Sequence, residues 1–183
     1  MAVREIILYS EDEAALRVKS KAISRLNQKV IHLIRDLKDT LEASSDGIGL
    51  AAPQINVHRR VVIACPGTVE DGKWQAGPAQ VFINPEIVEA SDERKDFDGC
   101  LSFPGIYGET IRPHHLRIIG FDEQGNPFDR VYDGFNAVIV HHEMDHLDGV
   151  LFIDRIENPQ DLYTLRENER GEIIRAPVSL KSP

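Results

Sequence analysis

The stretch Asp133-Gly134-Phe135-Asn136-Ala137-Val138-Ile139-Val140-His141-His142-Glu143-Met144-Asp145-His146-Leu147-Asp148-Gly149 decides how this chain folds. Asp133 reads as an N-cap and Gly149 as a C-terminal stop. The first half between them is apolar on most faces, which predicts a buried helix. His142 and His146 stand four residues apart, so their rings share one helix face and both can reach a single metal ion. Glu143 lies one step round from His142, where it can act as a base toward an open coordination position. Burying two imidazoles and a carboxylate without a partner is costly, and a metal supplies that partner. Two satisfied core histidines near a helix end are the bland alternative.

The flanking sequence predicts strands. Leu116-Arg117-Ile118-Ile119-Gly120-Phe121 and Phe128-Asp129-Arg130-Val131-Tyr132 form a hairpin pattern through the turn residues 122–126. Arg60 to Cys65 predicts a buried strand stopped by Pro66-Gly67, and Thr68 to Pro78 a polar loop. Val81 to Pro85 and Ile87 to Glu89 read as strand pieces, residues 5–8 and Leu151 to Ile153 as two more short ones, and Ser91 to Asp98 as a charged, solvated segment. Leu26, Val30, Ile31, Leu33, Ile34, Leu37 and Leu41 recur at helical spacing, in an amphipathic helix ended by Ser44-Ser45-Asp46-Gly47. The expected class is α+β, with short antiparallel sheets packed around a central metal-binding helix that carries the HExxH pattern. Residues 1–165 read as a single catalytic domain and 166–183 as a polar, partly mobile C-terminal tail.

With 183 residues and 42% hydrophobic content the chain can bury a sizeable core. Thirty acidic against 21 basic residues leave a net charge of −9, which argues against sequence-independent binding to nucleic acid or to anionic membranes. No apolar run approaches the roughly 20 residues that span a bilayer. The amino terminus has only a short apolar patch followed by acids, unlike a signal or transit peptide, so the expected compartment is the cytoplasm. A reducing compartment disfavours a disulfide between Cys65 and Cys100. Cys65, in its strand, reads as a small core hydrophobe.

A catalytic metal site usually takes three protein ligands. Phe152 stands where one protease class places a third histidine, and no histidine follows His146. Glu167 and Glu169 stand where another class takes a glutamate, yet they fall in the polar tail. Cys100, in Asp98-Gly99-Cys100-Leu101-Ser102-Phe103-Pro104-Gly105, is the better candidate: a thiolate binds divalent transition metals well, and the neighbouring glycine lets backbone pass close. One further octet is unusual. Gly47-Ile48-Gly49-Leu50-Ala51-Ala52-Pro53-Gln54 surrounds one polar side chain with small residues, and its glycines permit close approach of a ligand's main chain. It lacks the lysine and spacing of a phosphate loop, and on its own it reads as a plain turn with a solvated glutamine.

Together these three stretches, Gly47 to Gln54, Gly99-Cys100-Leu101-Ser102 and His142 to His146, resemble the ordered motifs of the peptide deformylase family. Leu16-Arg17 and the hairpin before the helix also fit. Asp98 stands where the family usually has Glu, His141 replaces a common glutamine, and Tyr107 replaces an arginine found in some members. A proline common before Leu16-Arg17 is absent.

The resemblance implies hydrolysis of the N-formyl group of formyl-methionine at the start of new proteins, with release of formate. Cys100, His142 and His146 would hold one divalent metal ion, Fe2+ by resemblance, with Zn2+, Ni2+ or Co2+ able to substitute. A metal-activated water would attack the formyl carbon, with Glu143 as general base and then acid. Gln54 and the backbone N–H of Leu101 would bind the oxyanion. Phe135, Val138 and Ile139 would wall the methionine pocket, and Ile48, Gly49 and Leu50 would lie along the substrate backbone. Expected partners are formyl-Met nascent peptides and, transiently, the ribosome, without direct nucleic-acid or membrane binding. A zinc-type metalloprotease with the same HExxH chemistry is the alternative enzyme, and a closed structural metal site the non-catalytic one.

Overall fold

The structure, a computed structural model, describes residues 2–180. In chain order it comprises α1 (Tyr9–Leu16), α2 (Gln28–Ala43), β1 (Gly49–Ala51), β2 (Val61–Ala64), β3 (Thr68–Glu70) and β4 (Lys73–Gln75). There follow β5 (Gln80–Gly99), β6 (Tyr107–Phe121), β7 (Pro127–Asp133), α3 (Phe135–Leu147), β8 (Leu162–Glu167) and β9 (Ile173–Pro177). Seven of the strands form one antiparallel sheet, six of them in the order β1-β2-β5-β6-β8-β9 and the seventh, β7, branching from β6. β6 is long enough to pair β7 over residues 115–121 and β8 at Tyr107 and Gly108.

Strand alternation explains how the two long helices dock. Val61 and Ile63 of β2 face α2, packing with its Val30, Leu33, Ile34, Leu37 and Leu41. Val62 and Ala64 point the other way, into a cluster with Ala137, Ile139, Val140, Met144 and Leu147 of α3. The sheet therefore lies between α2 and α3, and the helix with the two histidines is buried from Ala137 to Leu147. Its end is set by Gly149 at φ 72°, where a Cβ would come within 2.2 Å of the Arg17 carbonyl oxygen, so only glycine fits. Its start differs from expectation. Gly134, at φ 58°, occupies the cap position, and Asp133 ends β7 with its carboxylate 2.8 Å from His115 Nδ1.

Three other expectations are corrected. The sheets are not short: β5 runs for 20 residues, and its charged segment is a ribbon arm paired with β6, exposed because it extends beyond the core. Thr68 to Pro78 is not an open loop, because Asp71 and Gly72 adopt positive φ and close the hairpin β3–β4. The polar tail from residue 166 is not all loose: β8 and β9 pair over Tyr163–Glu167 and Ile173–Pro177 and extend the sheet. Residues 181–183 of that expected tail lie outside the described residues. Both cysteines are free. Among the described residues no helix is long and apolar enough to cross a membrane.

Asn27 caps α2, its Oδ1 accepting from Lys29 N–H at 3.0 Å and Val30 N–H at 3.2 Å. Asn27→Ala is expected to lower unfolding free energy by about 1 kcal/mol in urea denaturation, and an unchanged midpoint would remove the cap from the account of α2.

Candidate metal centre and cleft

Cys100 follows the last residue of β5, and His142 and His146 lie one turn apart on α3. Their ligand atoms all fall within 4.8 Å of one another, with Cys100 Sγ 3.4 Å from His146 Nε2. Among the described residues this is the one such cluster of histidine, cysteine and carboxylate groups. Glu143 sits beside it, with Oε2 buried and without a hydrogen-bond partner. His146 Nδ1 is likewise buried and unpartnered.

Each group is oriented from behind. Asp98 Oδ1 accepts from His142 Nδ1 at 2.7 Å and from Gly99 N–H at 2.9 Å. Its Oδ2 accepts from Arg112 Nε at 2.7 Å and Thr110 Oγ1 at 3.0 Å. With Nδ1–H donated to Asp98, His142 turns Nε2 toward the cluster, where a bound cation would take the place of the second ring proton. Arg112 is 0% exposed and spans to α3, where Nη1 donates to Asp145 Oδ2 at 2.7 Å. Arg155 completes Asp145 with bonds at 2.8 and 3.1 Å.

The electrostatics follow from this frame. Burial works to raise the Asp98 carboxyl, yet His142 and Arg112 hold it far below the usual range. For His142 burial is outweighed by the charge and hydrogen bond of Asp98, which raise its pKa well above the ordinary value, so this position favours positive charge. His146 lacks such a partner, and burial drives it down to about 3, leaving a free lone pair. Burial lowers His141 to about 4, so at neutral pH it is uncharged and its Nδ1, 2.7 Å from Arg112 Nη1, accepts. Its 3.8 Å approach to Asp145 is accordingly no ion pair. Burial raises Glu143 to about 7, suited to giving and taking a proton near neutrality.

The donor set fits a divalent metal. A thiol and two imidazoles converge, one ring is pre-oriented by a carboxylate, and Glu143 Oε2 beside them lacks a protein partner among the described residues.

This group opens on a cleft of about 420 Å³, lined by Ile48, Gly49, Gln54, Leu101, Phe135, Val138 and Ile139, and farther out by Phe97 and Tyr107. An added Cβ at Gly49 would lie 2.3 Å from Glu143 Oε1, so a side chain there would displace the carboxylate. Gln54 is buried, not solvated. Its Oε1 accepts from Ala51 N–H at 2.8 Å, which fixes the amide so that Nε2 donates to Ser102 Oγ at 3.1 Å and faces Cys100 Sγ at 3.4 Å. The Leu101 N–H has no partner among the described residues. Alternation along β1 turns the Leu50 side chain away from Gly49 into the α2 core, so only its main chain could meet a substrate, and the side chain does not line the cleft. Arg112 was not legible as part of the site. The signal available was two acids, Asp98 and Asp145, beside expected ligands, which need a buried cation.

A thiol, two imidazoles and a proton-carrying carboxylate at the floor of an apolar cleft define a class, the single-metal hydrolases. The family described as polypeptide deformylase matches residues 3–161. A curated peptide deformylase from Thermomicrobium roseum is 42% identical over 171 residues, 92% of this chain and 94% of its own length. A crystal structure of peptide deformylase from Ehrlichia chaffeensis in complex with actinonin has a TM-score of 0.77 at 30% identity, covering 86% of this chain and 91% of that one. The Met-Ala-Ser bound structure of class I type b peptide deformylase from Acinetobacter baumannii has a TM-score of 0.76 at 30% identity, covering 85% and 99%. The chain belongs to the polypeptide deformylase family.

Arg112→Met leaves Asp98 and Asp145 without their shared guanidinium. It is expected to cost about 3–5 kcal/mol of stability in denaturant unfolding, the range for breaking a buried ion pair. A loss below about 1 kcal/mol would show that the network carries little of the fold.

Proposed function

We propose that this chain hydrolyses the formyl group from the N-terminal formyl-methionine of newly made polypeptides in the cytoplasm. The observation that carries this reading is the convergence of Cys100, His142 and His146 beside Glu143, at the floor of an apolar cleft, in a member of this family. Cys100, His142 and His146 would hold one divalent ion. The donors suit iron(II), zinc, cobalt or nickel, and ferrous iron is the ion the family likeness favours. Such an ion supplies a Lewis acid that acidifies water and polarises a carbonyl.

The chain's own groups do the rest. Glu143 takes the proton of the attacking water as its oxygen adds to the formyl carbon, then delivers it to the leaving nitrogen as the carbon–nitrogen bond breaks. The products are formate and a free amino terminus. Gln54 Nε2–H and the unpartnered Leu101 N–H are donors for the charge that grows on the formyl oxygen. Among the described residues β1 pairs only with β2, so its outer edge at Gly49 can align an extended peptide by main-chain hydrogen bonds. Phe135, Val138 and Ile139 form apolar walls suited to a methionine side chain. The Met-Ala-Ser held by the Acinetobacter relative has the chemistry of such a product.

Formate release from a formyl-Met peptide, beside an unformylated peptide with internal bonds, tests the reading. Formate without internal cleavage supports it; internal cleavage without formate supports a metalloprotease. Glu143→Gln is expected to keep its metal and lose turnover by several orders of magnitude, whereas Cys100→Ala loses metal affinity. Gln54→Ala should lower kcat about 10²–10³-fold, as for other oxyanion donors, and an unchanged kcat would remove Gln54 from the mechanism.

A further inference from the structure

Among the described residues the hairpin β3–β4 pairs with no other strand, and five of its six strand residues are exposed. A lone two-stranded hairpin is marginal in water, so its position depends on what it is fastened to. The fastening is to the first turn of α3. Asn136 offers its carboxamide like a backbone peptide, with Nδ2 donating to the Gly67 carbonyl at 2.9 Å. Oδ1 accepts from Gly67 N–H at 2.8 Å and from Trp74 Nε1–H at 3.2 Å. Gly67 is required at this junction, because a Cβ would lie 1.8 Å from the Gln75 carbonyl oxygen. Trp74, the chain's single tryptophan, is the one half-buried strand residue of the hairpin. Its ring meets Phe135 edge-on, with centroids 5.2 Å apart and planes at 87°.

Phe135 lines the cleft and Trp74 does not. At the first position of α3, Phe135 has no preceding helical turn to restrict its rotamer. An edge-to-face aromatic contact is directional and can supply that restriction. We propose that Trp74 is a positioning residue for substrate selection. It fixes the Phe135 ring as a wall of the pocket for the substrate's first side chain, so a hairpin outside the cleft sets how closely that pocket fits methionine. This rests on the formyl-peptide reading above.

The test is steady-state formate release from formyl-Met-Ala-Ser by metal-loaded wild type, Trp74→Ala, Trp74→Phe and Asn136→Ala. Trp74→Ala and Asn136→Ala should each raise KM about tenfold, the order expected of one directional contact, with kcat changed less than about threefold. Trp74→Phe keeps a ring edge against Phe135 and should stay within about twofold of the wild-type KM. Saturating Met-Ala-Ser should also shift the wild-type tryptophan emission, a readout independent of turnover. If Trp74→Ala does not fold, Asn136→Ala and the emission shift carry the test. An unchanged KM, a fall in kcat alone, or an emission unmoved by the peptide would overturn the proposal. A wild type that releases no formate would instead overturn the functional reading itself.

Discussion

A guanidinium sealed from water between two carboxylates is the constraint on which the rest of this structure depends. Arg112 on β6 bonds Asp98 at the end of β5 and Asp145 on α3, each at 2.7 Å. An unpaired charge in that position would be too costly to keep, so strand and helix must meet in the one arrangement that satisfies all three. That arrangement also determines the centre. Asp98 precedes Cys100 by two residues and holds His142 by its Nδ1, so the network fixing the fold also aims the thiol and the first imidazole at one point. Its worth is therefore in geometry more than in net stability.

The apolar core complements this polar bracket. Because β2 alternates toward α2 and α3, the small residues of β1 are sorted too: Leu50 goes to the α2 core, while Gly49 comes against Glu143. The missing side chain at Gly49 leaves Glu143 its place and leaves a sheet edge open beside it. Burial, which fills most of this interior with hydrocarbon, here lifts a carboxyl to about 7 and keeps one histidine uncharged at about 3. The same desolvation thus stabilises the fold and tunes the groups in the cleft.

Much of this was legible in the sequence where the signal is local. The spacing of His142, Glu143 and His146 and the stop at Gly149 are short-range patterns. The octet ending in Gln54 was not read correctly on its own: the glutamine is buried against Ala51 and Ser102, a contact set by the neighbouring segment, and only the family resemblance pointed to it. The start of α3 was misread because Asp133 is drawn to His115 across a strand pair, a contact no local pattern encodes. The hairpin β3–β4 was locally encoded by Asp71-Gly72 but masked by its polar surroundings. The strands β8 and β9 had little periodicity because most of their residues stay exposed. Arg112 was invisible for a different reason: its partners lie 14 and 33 residues away, and an arginine in a strand ordinarily faces water.

The central claim is that one sulfur and two imidazole nitrogens close on a single dication. X-ray absorption at the metal edge of the zinc-loaded protein tests it most directly. The account predicts one sulfur at about 2.3 Å and two imidazole nitrogens at about 2.0–2.1 Å. A spectrum fitted by nitrogen and oxygen alone would place Cys100 outside the centre and contradict it.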